Sequence, residues 1–308
     1  MDPAIFDRNK SVYKLKNFGP IYYLNLDGQP ERRQYMEDQF KYWEIEDYTR
    51  ISAYDGREDD LSDIISGRYP DTMSGGEIGC TTSHLNAIKH YLDNSDSPYA
   101  IIMEDDCNLE LAKFWNFTWD DFMAHAPYDY DVIQIAIICT GDIHVRLHKR
   151  FVNDFSTACY VISRHHAEKL VRLHCRGGYT GQQKYKLDNG CKPRAVADDL
   201  IYNSGNTFAI PMLVYNYQLG SSIHPEHVDA FHKGNYEAQT NFWVQNSSTV
   251  DIKDFMNYDP YVGRTSENSA LPKDDQTWSP GHWDHAPEPV EEDLLEGEEN
   301  QFTPGLPA

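Results

Sequence analysis

The apolar residues of this chain come in short runs, and that pattern narrows the folds it can adopt. The longest run, Val132 to Ile138, is interrupted by Gln134, far short of the roughly 20 residues that span a bilayer. Runs are followed by turns and then by segments with helical spacing. PIYYLNL leads through DGQP into ERRQYMEDQFKYW, where Tyr35, Met36, Phe40 and Trp43 recur as on one side of a helix. YTRISAYDG closes in a turn at Asp55 and Gly56, and a polar loop follows. CTTSHLNAIKHYL offers Thr81 or Ser83 as the cap of a further helix, and SPYAIIMEDD is a buried strand that runs into acid.

The alternation continues with strands at DVIQIAIIC and TACYVIS, helices at RHHAEKLVRL and VADDLIYNSG, and a last strand at PMLVYNY. Strands alternating with helices build a mostly parallel sheet covered by helices, so the expected class is α/β. Its pattern holds to about Tyr217. From about Ser266 the chain is rich in Pro, Gly, Glu and Asp, which cannot bury a core and reads as a disordered tail over 266–308. The expected organisation is an N-terminal extension over 1–18, one catalytic-type domain over 19–265, and that tail.

Charge excludes one class of partner. The chain carries a formal net charge of -22, whereas nucleic-acid binding relies on Lys and Arg displacing counterions. Half of that charge falls from Asp251 onward, where fourteen acids face Lys253, Arg264 and Lys273. Between His174 and Arg194 the balance reverses: Arg176, Lys184, Lys186, Lys192 and Arg194 face Asp188 alone, an island that could draw an anionic ligand. The six cysteines form no CxxC pair, and they read as reduced and structural. MDPAIFDRNK lacks a basic leader followed by an apolar stretch, so the expected location is cytoplasmic.

Chemistry concentrates at Glu104, Asp105 and Asp106, at the carboxyl end of YAIIM. Ligands of open α/β sheets sit outside such strand ends. Three carboxylates there repel one another unless a cation compensates, and a hard ion, Mn²⁺ or Mg²⁺, takes oxygen ligands and bridges to a substrate diphosphate. A solvated acidic turn is the plain alternative. Leu26 to Arg33 forms the first strand-to-helix loop, where backbone amides favour phosphate, or else an ordinary Asp-Gly turn. Gly75, Gly76, Glu77 and Gly79 approach a helix whose first turn would hold Ser83 as a cap and His84 at the surface. His165 and His166 are adjacent and point apart, as on a solvated helix face. Trp243, Trp278 and Trp283 could stack on sugar rings or cover the core edge.

Four blocks, LNLDGQPERR, RISAYDG, GGEIGCTTSHLNAI with IIMEDD, and TACYVISRHHAEKL, resemble glycosyltransferase family 25 in their order, over about residues 20 to 217. That resemblance implies a GT-A type fold, a nucleotide-sugar donor such as UDP-galactose, inversion at the anomeric carbon, and transfer to a glycan or hydroxylated protein acceptor. It implies a metal held by Glu104 and Asp106, with His224 of the HxxH pair His224 and His227 as a third ligand. Donor contacts would come from Asn25, Leu26, Asp27, Arg32, Arg33, Gly79, Ser83 and Asp105. The base would be one of the adjacent acids Asp198 and Asp199, with helix-end charges as the plain reading. The chain departs from the family at Gly28 and Gln29, where two arginines are frequent, and at Ser156, where glycine is usual. A silent carbohydrate-binding or scaffold protein, and a metal-dependent phosphohydrolase, are the competing functions.

Overall fold

A computed structural model describes residues 11–258 other than 68–72, 140–143, 152, 178–182, 188–195, 222, 224 and 226. His224, Lys192, Arg194, Cys191, Trp278, Trp283 and the tail over 266–308 therefore lie outside the described residues.

The chain alternates as its apolar runs dictate: β1 (Ile21–Asn25), α1 (Pro30–Trp43), β2 (Tyr48–Ser52), α2 (Gly75–Asn94), β3 (Tyr99–Glu104), β4 (Cys107–Asn108), α3 (Trp119–Ala124), β5 (Val132–Ala136), β6 (His148–Lys149), β7 (Cys159–Ser163), α4 (Arg164–His174), α5 (Ala197–Tyr202), β8 (Thr207–Tyr215) and α6 (Lys233–Asn246). One eight-stranded sheet runs in the order β2-β1-β3-β7-β5-β8-β4, with β6 also on β8. Strands β1, β2, β3, β5 and β8 point one way, so the sheet is largely parallel. Strand β7 is reversed between β3 and β5. No helix joins β5 to β7 among the described residues; a parallel neighbour would need a crossover, and a direct return pairs antiparallel.

Alternation along the strands divides the core into two layers. Ala100 and Ile102 pack with Ile78, Leu85 and Ile88 of α2, Leu170 of α4 and Leu200 of α5. Ile101 and Met103 face Met36 and Phe40 of α1, Trp119 and Phe122 of α3 and Trp243 of α6. Residues before the sheet join the second layer, for Leu15 and Phe18 are buried and Phe18 meets Trp119 edge-on. Trp243 is fully buried and donates its indole N–H to the Pro211 carbonyl at 2.8 Å. It is therefore a core residue, and a sugar-stacking role for it is excluded. β8 begins earlier than PMLVYNY, and its ladder with β5 shifts register between Ala209 and Leu213, around Pro211, which has no N–H to pair.

Helix α2 corrects the sequence reading in its start. It begins at Gly75, two turns before Ser83, under a capping box in which Ser74 and Glu77 satisfy each other's backbone amides. Thr81 and Ser83 instead lie inside the helix and bond back to the carbonyls of Glu77 and Gly79. The glycines obscured the helical pattern, and their reason is tertiary. A Cβ on Gly79 would stand 2.5 Å from the Tyr54 carbonyl oxygen, and one on Gly75 would stand 2.0 Å from that of Gly56, so only glycine lets the helix meet this loop.

Candidate active site

The carboxyl ends of β1, β2 and β3 open on one edge, because their parallel register aligns Leu24 with both Ile51 and Glu104. The loops after these strands and the start of α2 enclose a cleft lined by Asn25, Leu26, Arg32, Tyr54, Arg57, Ser83 and the three acids Glu104, Asp105 and Asp106. Of the residues singled out from the sequence, Asn25, Leu26, Arg32, Ser83 and the three acids line this cleft. The sequence reading did not foresee Tyr54 and Arg57, although both follow a strand parallel to β1, which is the feature that would have pointed to them.

Arg32, one turn into α1, spans two of the acids. Its Nε lies 2.7 Å from Asp105 Oδ1 and its Nη2 lies 2.6 Å from Asp106 Oδ2, with the three side chains 10–14% exposed. Asp105 also accepts from Asn25 Nδ2 at 2.7 Å. One guanidinium does not offset the cluster. Burial raises Asp105 in spite of Arg32 and Asn25. Burial, with repulsion from Glu104 and Asp105, pushes Asp106 up to about 7 against the pull of Arg32. The second oxygen of Asp106 takes no bond from a described residue.

Glu104 is treated differently. Its Oε1 accepts from the Thr157 hydroxyl at 2.8 Å and faces His84 Nε2 at 3.3 Å. Burial would raise this carboxyl, yet His84, Thr157 and the charge of Arg32 together hold it below its ordinary value. His84 is not the surface residue expected. It is fully buried in the third turn of α2, with Nδ1 3.1 Å from the Tyr160 hydroxyl. A CxxxH spacing on a helix that ends against an acidic strand was the available clue, since residues four apart share a helix face.

The remaining expected donor residues divide. Ser83 accepts the Tyr54 amide at 2.8 Å and so pins the loop after β2 to α2, while Gly79 sets how closely the two approach. Asp27 is exposed and pairs with Arg50 and with Ser52, whose hydroxyl donates at 2.8 Å. Arg33 pairs with Glu37 at 2.7 Å on the exposed side of α1 and is not among the described residues lining the cleft.

Asp198 and Asp199 open α5. Asp198 accepts the Ser156 amide at 2.8 Å, and burial, with repulsion from Asp199 and Glu104, raises it. Asp199 accepts from Asn203 at 3.2 Å, so the two acids diverge as adjacent helical residues must. Asp198 is not among the described residues that line the cleft. Ser156 stands at φ 91, where glycine is at ease; its carbonyl takes bonds from Tyr202 and Gln134 and its hydroxyl from the Ala158 amide. Of the paired histidines only His165 is exposed. His166 is buried, with Nε2 2.9 Å from the Ile201 carbonyl, which corrects the solvated-face reading for that residue.

A largely parallel α/β sheet that delivers buried carboxylates and a guanidinium to one strand-end cleft has the architecture of a Rossmann-like glycosyltransferase. The chain belongs to glycosyltransferase family 25, whose family model, described as an LPS biosynthesis protein, matches residues 18–179. No curated protein matches it. The family makes the chain a glycosyltransferase with a sugar donor and an acceptor; Asp198, Asp199 and β8 lie beyond the matched span. No helix among the described residues is long and apolar enough to cross a membrane.

Proposed function

We propose that this chain is a metal-dependent, inverting GT-A type transferase that moves a hexose, galactose from UDP-galactose, onto a glycan or hydroxylated protein acceptor in the cytoplasm. The observation that carries the reading is the state of the acids at the end of β3. They line a cleft, they are half-buried or buried, and Arg32 leaves Asp106 well above the ordinary carboxylate range with one oxygen that no described residue bonds. That donor set, oxygen-only and short of positive charge, fits a hard divalent ion, Mn²⁺ or Mg²⁺. Glu104 and Asp106 would hold it; when bound it supplies positive charge to the diphosphate of the donor.

The chain's own residues would do the rest. Asn25 orients Asp105, which with Asp106 fixes Arg32, and Arg32 and Arg57 both line the cleft, so two guanidinium groups could hold the diphosphate. Ser83 keeps the Tyr54–Gly56 loop closed over α2. Asp198, raised by burial, suits the removal of a proton from the acceptor hydroxyl, and the Ser156 amide aims it. Leu26 lines the cleft, Asp27 and Gly79 shape its loops, and Arg33 and Asp199 pair with Glu37 and Asn203 away from it.

A thermal-shift panel of UDP-sugars with and without Mn²⁺ tests the donor and metal together, because a ligand that binds only the native state raises its stability. Transfer to a supplied acceptor, compared with donor hydrolysis in its absence, separates a transferase from a phosphohydrolase and from a silent binding protein. A melting temperature unmoved by every UDP-sugar in Mn²⁺ would overturn the proposal.

A further inference from the structure

Cys80 and His84 are one helical turn apart on α2, so their side chains stand on the same face, and that face meets the end of β3. One ligating atom from each of Cys80, His84 and Glu104 lies within 4.8 Å of the other two. The surrounding support is already present. The Tyr160 hydroxyl lies 3.1 Å from His84 Nδ1 and the Thr157 hydroxyl donates to Glu104 at 2.8 Å, the kind of outer partner that orients metal ligands.

We propose that Cys80, His84 and Glu104 form a site for a thiophilic divalent cation, Zn²⁺, that shares only Glu104 with the hard-ion pair. Sulfur, imidazole and carboxylate are the donors zinc takes, whereas manganese and magnesium select oxygen. Three protein ligands leave a fourth position, and it opens to the cleft, which Cys80 and Glu104 both line. On binding, the Cys80 thiol loses its proton to solvent and a sulfur–zinc bond forms, with no change of oxidation state. The imidazole binds through Nε2 and carries its single N–H on Nδ1, donated to the Tyr160 oxygen. Because the thiol gives up its proton on binding, zinc affinity rises with pH. Zinc held here withdraws Glu104 from the hard ion and opposes donor binding, a consequence that rests on the transferase reading above; the zinc site itself does not.

The full chain titrated with Co²⁺ as a spectroscopic probe, and with Zn²⁺ by calorimetry, tests the site. Expected are a thiolate-to-cobalt charge-transfer band, one tight zinc per chain, and weaker Mn²⁺-dependent UDP binding once zinc is added. Cys80→Ser should remove the band and lower zinc affinity by more than the about 10- to 100-fold expected for Tyr160→Phe, which removes only an outer partner. Asp106→Asn should keep the band. A parent chain without the band, or a band that persists in both Cys80→Ser and Cys80→Ala, overturns the proposal; the parent needs no variant to fold. If the band is present while Mn²⁺ has no effect on UDP binding, the hard-ion reading fails and the zinc site stands.

Discussion

Glu104 and Asp106 are two residues apart at the end of one strand, yet the surrounding chain stabilises them in opposite ways. Glu104 receives a hydroxyl from Thr157 and faces an imidazole, and its carboxyl stays below the ordinary range. Asp106 receives one arm of a guanidinium that it shares with Asp105, and its carboxyl is pushed up to about 7. Hydrogen bonds from His84 and Thr157, with nearby positive charge, favour the ionised form of Glu104 against its burial. One guanidinium shared between Asp105 and Asp106, with one Asp106 oxygen bonded by no described residue, leaves the pair short of positive charge. The contrast separates an acid whose partners hold it charged from one that its surroundings push towards the protonated form.

Loss of Asp106 should have the largest effect. Asp106→Asn is expected to lower Mn²⁺-dependent UDP affinity by more than about 100-fold, because removing even an outer partner of a metal ligand costs about 10- to 100-fold. Calorimetric titration with and without Mn²⁺ checks this, and unchanged affinity would erase the distinction between the two acids. Next in size is the base: Asp198→Asn should slow transfer by about 100-fold or more while UDP-galactose binding persists. Near-normal turnover in that variant would leave Asp198 as a partner of the Ser156 amide alone. Asp199→Asn, by contrast, should cost stability of about 1 kcal/mol or less, as for a helix-end charge, and little turnover.

Thr157→Val tests the charged acid directly. It removes the hydrogen bond that Thr157 donates to the half-buried Glu104 carboxylate, so urea unfolding should show a loss of about 1.5–3 kcal/mol; a neutral result would mean that His84 suffices. The smallest effects belong to Ser156, whose φ of 91 is strained for any residue but glycine. Ser156→Ala keeps the strain and loses the bond to Ala158, and should cost about 1 kcal/mol. Ser156→Gly loses the same bond but recovers about 1 kcal/mol of strain, so its melting temperature should stay close to the parent's.

Much of this protein follows from local sequence. The alternation of short apolar runs with helical spacing determined an α/β sheet and most of its elements, because strands buried on both faces read as unbroken apolar runs and the helices that cover them as one apolar stripe. The run of acids after YAIIM marked the site, since a parallel strand delivers its carboxyl end to the ligand edge. Tertiary structure decided what distance along the chain conceals. Strand β7 entered the sheet reversed, and among the described residues its connection from β5 contains no crossover helix. Gly75 and Gly79 belong to a helix rather than to a loop because another loop's backbone lies against them. His84 became an acid's partner because α2 began two turns early and turned that face inward, and Arg32 became the counter-ion of Asp105 and Asp106, which lie more than 70 residues away along the chain. Local propensity reads only the neighbours a residue has in sequence, whereas the charge balance of a buried site is set by those it meets in space.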